Sequence, residues 1–410
     1  MWKFIITVFL ITMAAVFPAR ADHVPTHGSA AVTQESFEAL LEKLKTHPEI
    51  AAYASRVEAS GEYAKGELGL PDPMVFLEQE DYRFRSSDMG RGGGDTMFGF
   101  RQEIPNSGLR KAQSARMNAE SGKNRLLQEY AYSAMKARMI SALAQMHKIE
   151  ELTRIAQEQK KLLKTQRQSL KGSVAANRAA VSTVSMTEAE TAETDIILAE
   201  LDEEKHEIEA MLTNMLGYTP KIPDMPAIEM LTWDRNVDNT YPVLAAAADI
   251  TMADKDVDIR KAQYGPNFEI QASAGRMDGG DQGGTIMLGV SMPLWSSGNQ
   301  APKLRGAKAA LAAAKLDQDM IRRNMMQKLV HLQAQIDTSI RKIELSEKKE
   351  LLLKEAAKAA SREYEAGKGE FVMILKTRRE AFAARAQTMV DKARHASLVA
   401  EFNKYIRKEN

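Results

Sequence analysis

The chain carries one structural unit twice. Pro48, in the run His47-Pro48-Glu49-Ile50-Ala51-Ala52, returns as Pro242 in Tyr241-Pro242-Val243-Leu244-Ala245-Ala246, 194 positions on (242 minus 48). Pro73 and Pro266 lie 193 apart (266 minus 73), Pro105 and Pro293 lie 188 apart (293 minus 105), and Gly172 and Gly367 lie 195 apart (367 minus 172). Landmarks that keep their order at nearly one offset mark a tandem duplication. Each copy reads helix, strand, strand, long helix, helix.

The prolines have mechanical reasons for their places. Pro48 and Pro242 suit the first turn of a helix, where the missing N–H has no partner to lose. Pro105 and Pro293 close apolar alternations and precede helical patterns, which makes them the passages from sheet to helix in the two copies. Between them lie the strands. Phe268, Ile270, Ala272 and Ala274 alternate with Glu269, Gln271, Ser273 and Gly275, and Ile286, Leu288, Val290 and Met292 alternate with Thr285, Met287, Gly289 and Ser291. Period two with one apolar side predicts strands half in contact with an apolar medium. In the first copy Phe98, Phe100 and Ile104 share a side, while Glu78, Glu80 and Asp81 interrupt the strand that starts near Met74. The glycine-rich links, 86–95 and 278–284, read as exposed hairpin loops. A phosphate cradle would need a helix N-terminus after the glycines, and a strand follows each time.

The helices that follow the hairpins are very long. In the second, Leu304, Ala307, Leu311, Ala314, Gln318, Ile321, Met325, Leu329, Leu332, Ile336, Ile340 and Ile343 step by threes and fours, the seam of a coiled coil. Some 65 residues at about 1.5 Å each make a rod of roughly 100 Å, which must pack on neighbours side by side. The resulting organisation is 22–46 a leader with a short helix, and 47–217 the first repeat, with hairpin 73–104 and helices 106–171 and 184–216. A linker, 218–240, precedes the second repeat, 241–407, with hairpin 266–293 and helices 300–366 and 371–407.

Residues 1–21 read as an export signal, with Lys3, the apolar run from Phe4 to Phe17, and Ala19-Arg20-Ala21 as a cleavage site. No later stretch approaches the 18 or so apolar residues of a membrane-spanning helix, so any entry into a membrane is by strands. The chain has no cysteine, which removes disulfides and thiolate sites. Its 56 basic and 55 acidic residues nearly cancel, so nothing calls for nucleic acid as a partner.

Four strands cannot close a barrel. In lipid each unpaired backbone group at an open edge costs several kcal/mol, and two open edges together exceed a usual folding stability of about 5 to 15 kcal/mol. Lipid-facing strands therefore require self-association. A dimer would give a barrel filled by its own side chains, and a trimer one with a lumen.

Leu70-Pro71-Asp72-Pro73-Met74, the segment from Gln102-Glu103-Ile104-Pro105 to Gly108, Val290-Ser291-Met292-Pro293-Leu294 and Tyr364-Glu365-Ala366-Gly367 resemble the TolC family of outer-membrane efflux proteins. The resemblance runs from about Gln34 to Ile406 and includes the duplication. It implies a mainly α fold with a transmembrane β part: four strands per protomer in a trimeric twelve-stranded barrel, on long periplasmic coiled-coil helices in two tandem repeats. It further implies a homotrimer in the outer membrane of a Gram-negative cell, in contact with outer-membrane lipid. A periplasmic adaptor, or membrane fusion protein, would connect it to an inner-membrane pump. The Leu-Pro-Asp-Pro-Met turn is similar to the branch serving heavy-metal pumps of the RND type. Drug efflux and type I protein secretion use the same fold. The rival of another class is a soluble periplasmic coiled-coil adaptor or scaffold, which would usually nest one helical hairpin inside β domains.

In the family the turns after the long helices form the periplasmic tip. Gly172 and Gly367 mark those turns here, and Arg178, Lys368 and Glu370 are the candidates for the pore entrance. The first turn reads as longer, since Gly172 to Glu190 spans 18 positions (190 minus 172) and Gly367 to Glu380 spans 13 (380 minus 367).

No catalytic, cofactor or metal site is expected. His206-Glu207 begins a zinc-protease pattern, but Ala210 stands where a second histidine is needed. Glu203 and His206 form one Glu-x-x-His pair, and a di-iron bundle needs two. Asp22, His23 and His27 belong to the leader. The 23 methionines fall mostly at helical packing positions.

Overall fold

The structure, a computed structural model, describes residues 36–80, 95–176, 180–221, 228–277 and 281–407. The export signal, Asp22, His23, His27, Asp81, Arg178, residues 86–94 of the first glycine-rich link and 278–280 of the second lie outside these residues. The elements in chain order are α1 (Phe37–Lys45), α2 (Pro48–Gly66), β1 (Met74–Glu80), β2 (Asp95–Ile104), α3 (Ser107–Ala175), α4 (Val181–Leu216), α5 (Tyr241–Ala262), β3 (Asn267–Arg276), β4 (Gln282–Ser291), α6 (Gln300–Glu365) and α7 (Phe371–Asn403). Among the described residues no helix is long and apolar enough to cross a membrane.

Helix α2 opens on Pro48, with the His47 Nδ1 accepting the Glu49 N–H at 3.2 Å. Helix α3 starts one residue after Pro105, at an Asn106 cap whose Oδ1 accepts the Gly108 N–H at 2.7 Å. Helices of 69 and 66 residues are held by packing and not by propensity. α3 lies against α2, α4, α5 and α7, and α6 lies against α5 and α7.

Two apolar cores form where the returning helices meet the middle of the long ones. The first joins Met135, Met139, Ala142 and Met146 of α3 to Leu212 of α4 and Leu40 of α1. The second joins Met325, Leu329, Leu332 and Ile336 of α6 to Phe402 of α7 and Val243 of α5. Met135 and Met325, Met139 and Leu329, Ala142 and Leu332, Met146 and Ile336, and Leu212 and Phe402 all stand 190 apart (325 minus 135). The duplication therefore reaches down to individual core positions. Beside the second core the linker is pinned to the end of α7. Asn403 Oδ1 accepts from the Leu231 N–H at 2.8 Å and its Nδ2 donates to the Glu229 carbonyl at 2.9 Å. The Arg407 guanidinium grips Glu129 at 2.9 and 3.2 Å, and burial pushes the Tyr130 hydroxyl up to about 12.

The α6 seam follows the expected steps from Leu304 to Ile336. It then continues through buried Ser339 to Ile343, while Ile340 is 45% exposed. The step of three from Ile336 keeps the three-four alternation, and Ile340 falls off the stripe. The position is polar because it is satisfied. Ser339 Oγ donates to the Ile336 carbonyl at 2.7 Å and meets His395 Nδ1 of α7 at 2.8 Å. A hydroxyl has one hydrogen, so the ring nitrogen is the donor in the second bond. Desolvation lowers the His395 pKa from 6.5. The folded state then resists a proton that the unfolded chain accepts, so this group's contribution to stability is full above pH 6.5. It is lost as pH falls toward the lowered folded value. Thermal unfolding followed at pH 7.5 and pH 5 should show a drop that His395→Gln reduces.

Candidate functional site

The four strands make one antiparallel sheet in the order β1-β2-β3-β4. The central pairing, β2 with β3, joins the two repeats: Phe98 faces Ala274, Phe100 faces Ala272 and Ile104 faces Phe268. Because side chains alternate, the registers assign every residue to a side. One side is apolar, with rows Val75-Phe100-Ala272-Ile286 and Ile104-Phe268-Val290 and, next to them, Leu77, Phe98, Ile270 and Leu288. Leu77 is 73% exposed and Ile286 78%, so nothing among the described residues covers this side there. Within these rows Gln102 donates to the Pro71 carbonyl at 2.8 Å, and the row Gln79-Thr96-Arg276-Gln282 forms the polar end of this side.

The other side is polar. Glu269, Gln271 and Ser273 lie on it, as their alternation predicts, beside Glu78, Glu80, Asp95, Arg101, Glu103 and Thr285. The acidic residues of β1 therefore do not break the strand. They are the polar half of its alternation, paired through Glu78 to Met97 and Glu80 to Asp95. Glu103 stands directly opposite Glu269, a like-charge pair that Arg101 moderates. Its Nε lies 3.3 Å from Glu269 Oε1, and its Nη2 donates to Gln271 Oε1 at 2.8 Å. Gly99 sits where a Cβ would come within 2.5 Å of the Phe76 ring, so the ring can lie flat across β2 only over glycine.

The two sheet-to-helix junctions, expected to join barrel to helix, differ. Pro105 is followed at once by the Asn106 cap, whose backbone N–H donates to Asn267 Oδ1 at 3.0 Å and whose Nδ2 donates to the Ala262 carbonyl at 2.9 Å. Asn106 thus ties the start of α3 to the second repeat. Pro293 also ends its strand, but α6 starts only at Gln300, and Leu294 and Trp295 project between them at 72% and 80% exposure.

At the far end of the long helices, Gly367 closes α6 in the left-handed region, φ 72°. The Gly367 N–H donates to the Tyr364 carbonyl at 2.9 Å and the Lys368 N–H to the Glu363 carbonyl at 2.9 Å, a Schellman turn. Lys368 lies in this turn, and Glu370 is the residue before the first turn of α7. Tyr364 packs edge-on against Phe371 at 5.8 Å and holds the turn closed. Gly172 has a different place. It lies inside α3, which runs on through Ser173, Val174 and Ala175, since a glycine costs a long helix only about 1 kcal/mol. Both links are five residues long, 176–180 and 366–370, so the two turns match in length and the longer span from Gly172 arises because Gly172 is not the counterpart of Gly367. Helix ends Ala175 and Glu365 are 190 apart (365 minus 175). Position 177, an asparagine, therefore matches Gly367, and Arg178 matches Lys368. Both 177 and 178 lie outside the described residues.

The patterns that suggested metal chemistry do not converge. His206 is exposed, its Nδ1 2.7 Å from the Asp202 carbonyl, and among the described residues no group of three or more histidine or carboxylate side chains could hold a metal ion.

An amphipathic four-stranded sheet with two open edges, carried on two helices of more than sixty residues, is the architecture of an outer-membrane channel protomer. Residues 238–400, the second repeat, match the family model described as outer membrane efflux protein. VceC of Vibrio cholerae, an outer membrane protein, is similar over 89% of this chain and 94% of its own, with 17% identity and a TM-score of 0.71. CusC, described as forming a transmembrane channel, is similar over 90% and 92%, with 10% identity and a TM-score of 0.78. The Campylobacter jejuni outer membrane channel CmeC is similar over 91% and 86%, with 12% identity and a TM-score of 0.74. Among curated proteins no sequence match was found. The second repeat thus matches the outer membrane efflux protein family, and the chain as a whole has the fold of these outer-membrane channels.

Proposed function

We propose that three copies of this chain form the outer-membrane exit duct of a tripartite efflux system, with a twelve-stranded barrel in the membrane and the helices in the periplasm. The observation that carries this reading is the sheet with an apolar outer side and unpaired edges at β1 and β4. Each edge leaves backbone groups that lipid cannot satisfy, and β4 of one protomer pairing with β1 of the next removes both at once. Ten-residue strands at about 3.3 Å each, tilted by about 45°, span an apolar band of roughly 25 Å. Helix α6 also leaves Leu316, Met320, Val330, Leu345, Leu351 and Leu352 exposed, apolar area for neighbouring protomers to cover. A periplasmic adaptor and an inner-membrane pump complete the system, with Lys368, Glu370 and Arg178 at the mouth of the duct.

The cargo we infer is a heavy-metal cation moved by an RND-type pump. The Leu70-to-Met74 turn supports this, as does the charge of the inner barrel wall, which carries Glu78, Glu80, Asp95, Glu103 and Glu269 against Arg101 alone among the described strand residues. Such a wall concentrates cations. The detergent-solubilised particle should have three times the 45.5 kDa of the chain, less any cleaved leader. In planar bilayers under a salt gradient its reversal potential should report cation preference, reduced by Glu103→Gln with Glu269→Gln. A monomeric particle that needs no detergent would refute the duct, and anion preference would refute the cation-conducting wall. Loss of drug tolerance with unchanged metal tolerance on deleting the gene would assign the duct to drug export.

A further inference from the structure

The apolar side of β4, Ile286, Leu288, Val290 and Met292, does not stop where the strand does. It continues onto a projecting turn with Leu294 and Trp295 at its tip, the indole 80% exposed. Repeat one has no counterpart, because the strand-ending prolines lie 188 apart while the helix starts Ser107 and Gln300 lie 193 apart (300 minus 107). Five residues have been inserted at this one junction. The turn closes its own backbone bonds: the Leu294 N–H donates to the Met292 carbonyl at 2.9 Å, the Gly298 N–H to the Trp295 carbonyl at 3.2 Å and the Ala301 N–H to the Ser296 carbonyl at 2.8 Å. These three bonds lower the number of backbone groups that lipid would leave unpaired. The indole N–H of Trp295 has no acceptor among the described residues, whereas that of Trp233 donates to the Asn236 carbonyl at 2.8 Å.

We propose that Leu294 and Trp295 form a lipid anchor at the helix-proximal rim of the barrel. Leu294 enters the acyl boundary and Trp295 lies at the phospholipid headgroup level of the periplasmic leaflet, fixing the height of the barrel in the membrane. An indole with an apolar body and one donor is stable at this boundary, where the ring meets hydrocarbon and the N–H meets water or an ester carbonyl. The position also follows from chain order, because the turn sits between the last lipid-facing residue, Met292, and a helix of solvated composition. This inference rests on the barrel reading above.

Tryptophan fluorescence tests it. The chain has three tryptophans, so replacing Trp2 and Trp233 by Phe leaves Trp295 as the single indole. The full protein is reconstituted in phosphatidylcholine vesicles brominated either near the carbonyl end of the acyl chains or near their terminal methyls. Trp295 emission should fall about twofold with the shallow bromines and clearly less with the deep ones, as an interfacial ring requires. A second variant carries Phe100→Trp and Trp295→Phe in the same background and places the indole mid-sheet on the lipid side, where the deeper bromines should quench more. If the indole at position 100 is quenched and Trp295 is untouched by both lipids, the anchor is wrong and the barrel stands. A neighbour's Leu70 covering Trp295 would give this result. If neither indole is quenched, barrel and anchor both fall, and deep quenching of Trp295 overturns the headgroup placement.

Discussion

An arginine at Ile286 is expected to abolish recovery of the protein as a membrane-inserted trimer, whereas an arginine at Thr285, one residue earlier, should leave assembly intact. Ile286 occupies the apolar row with Val75, Phe100 and Ala272 and is 78% exposed in the protomer. At mid-membrane a lipid-facing arginine costs roughly 2–4 kcal/mol, and a trimer multiplies the cost by three. Thr285 pairs with Ser273 on the polar side, where an added charge meets water. Fractionation followed by an unheated gel that preserves the trimer would compare the two variants. Equal recovery of both would mean that this side of the sheet does not face lipid.

Phe402→Ala should cost roughly 3–5 kcal/mol of stability, a large share of the usual 5–15 or so. The ring is fully buried in the second core and meets Trp233 edge-on at 5.9 Å, so its removal leaves a cavity beside both the linker and α6. Leu212→Ala, 190 positions earlier in the first core, should cost roughly 2–5 kcal/mol. The two residues belong to separate clusters, so the double variant is expected to add the two losses. Denaturant unfolding in detergent, read by helical circular dichroism, would measure each. Lys349→Ala on the exposed surface of α6 is the control and should stay within about 0.5 kcal/mol.

Both kinds of residue were legible to different degrees. The strands of the second repeat show in the sequence because each side of the sheet keeps one character, apolar on one side and polar on the other, and this writes period two into residues 268–274 and 286–292. The first strand is harder to read because Glu78 and Glu80 look like breaks until Met97 and Asp95 are known to face them. The tip was misaligned for a related reason. A glycine signals a turn only when the backbone there is left-handed, as at Gly367 and not at Gly172. The α6 seam is legible from Leu304 to Ile336, Gln318 included, and departs from the apolar pattern at Ser339, whose partner His395 lies 56 residues away. Asn106, Arg101 and Trp295 went unmarked. For Trp295 a signal existed, the smaller offset of Pro105 and Pro293 compared with the other landmarks.

What the amino-acid order determined alone is whatever depends on near neighbours: the periods of helix and strand, the prolines that start and end them, and the duplication that repeats them. Only the tertiary structure decided the pairing of β2 with β3 across the repeats, the side on which each acidic residue lies, and the partners that make Ser339 and Asn106 acceptable. Those outcomes rest on contacts between residues up to 180 positions apart (276 minus 96), where local pattern carries no information and only the closing of hydrogen bonds and apolar surface selects the partner.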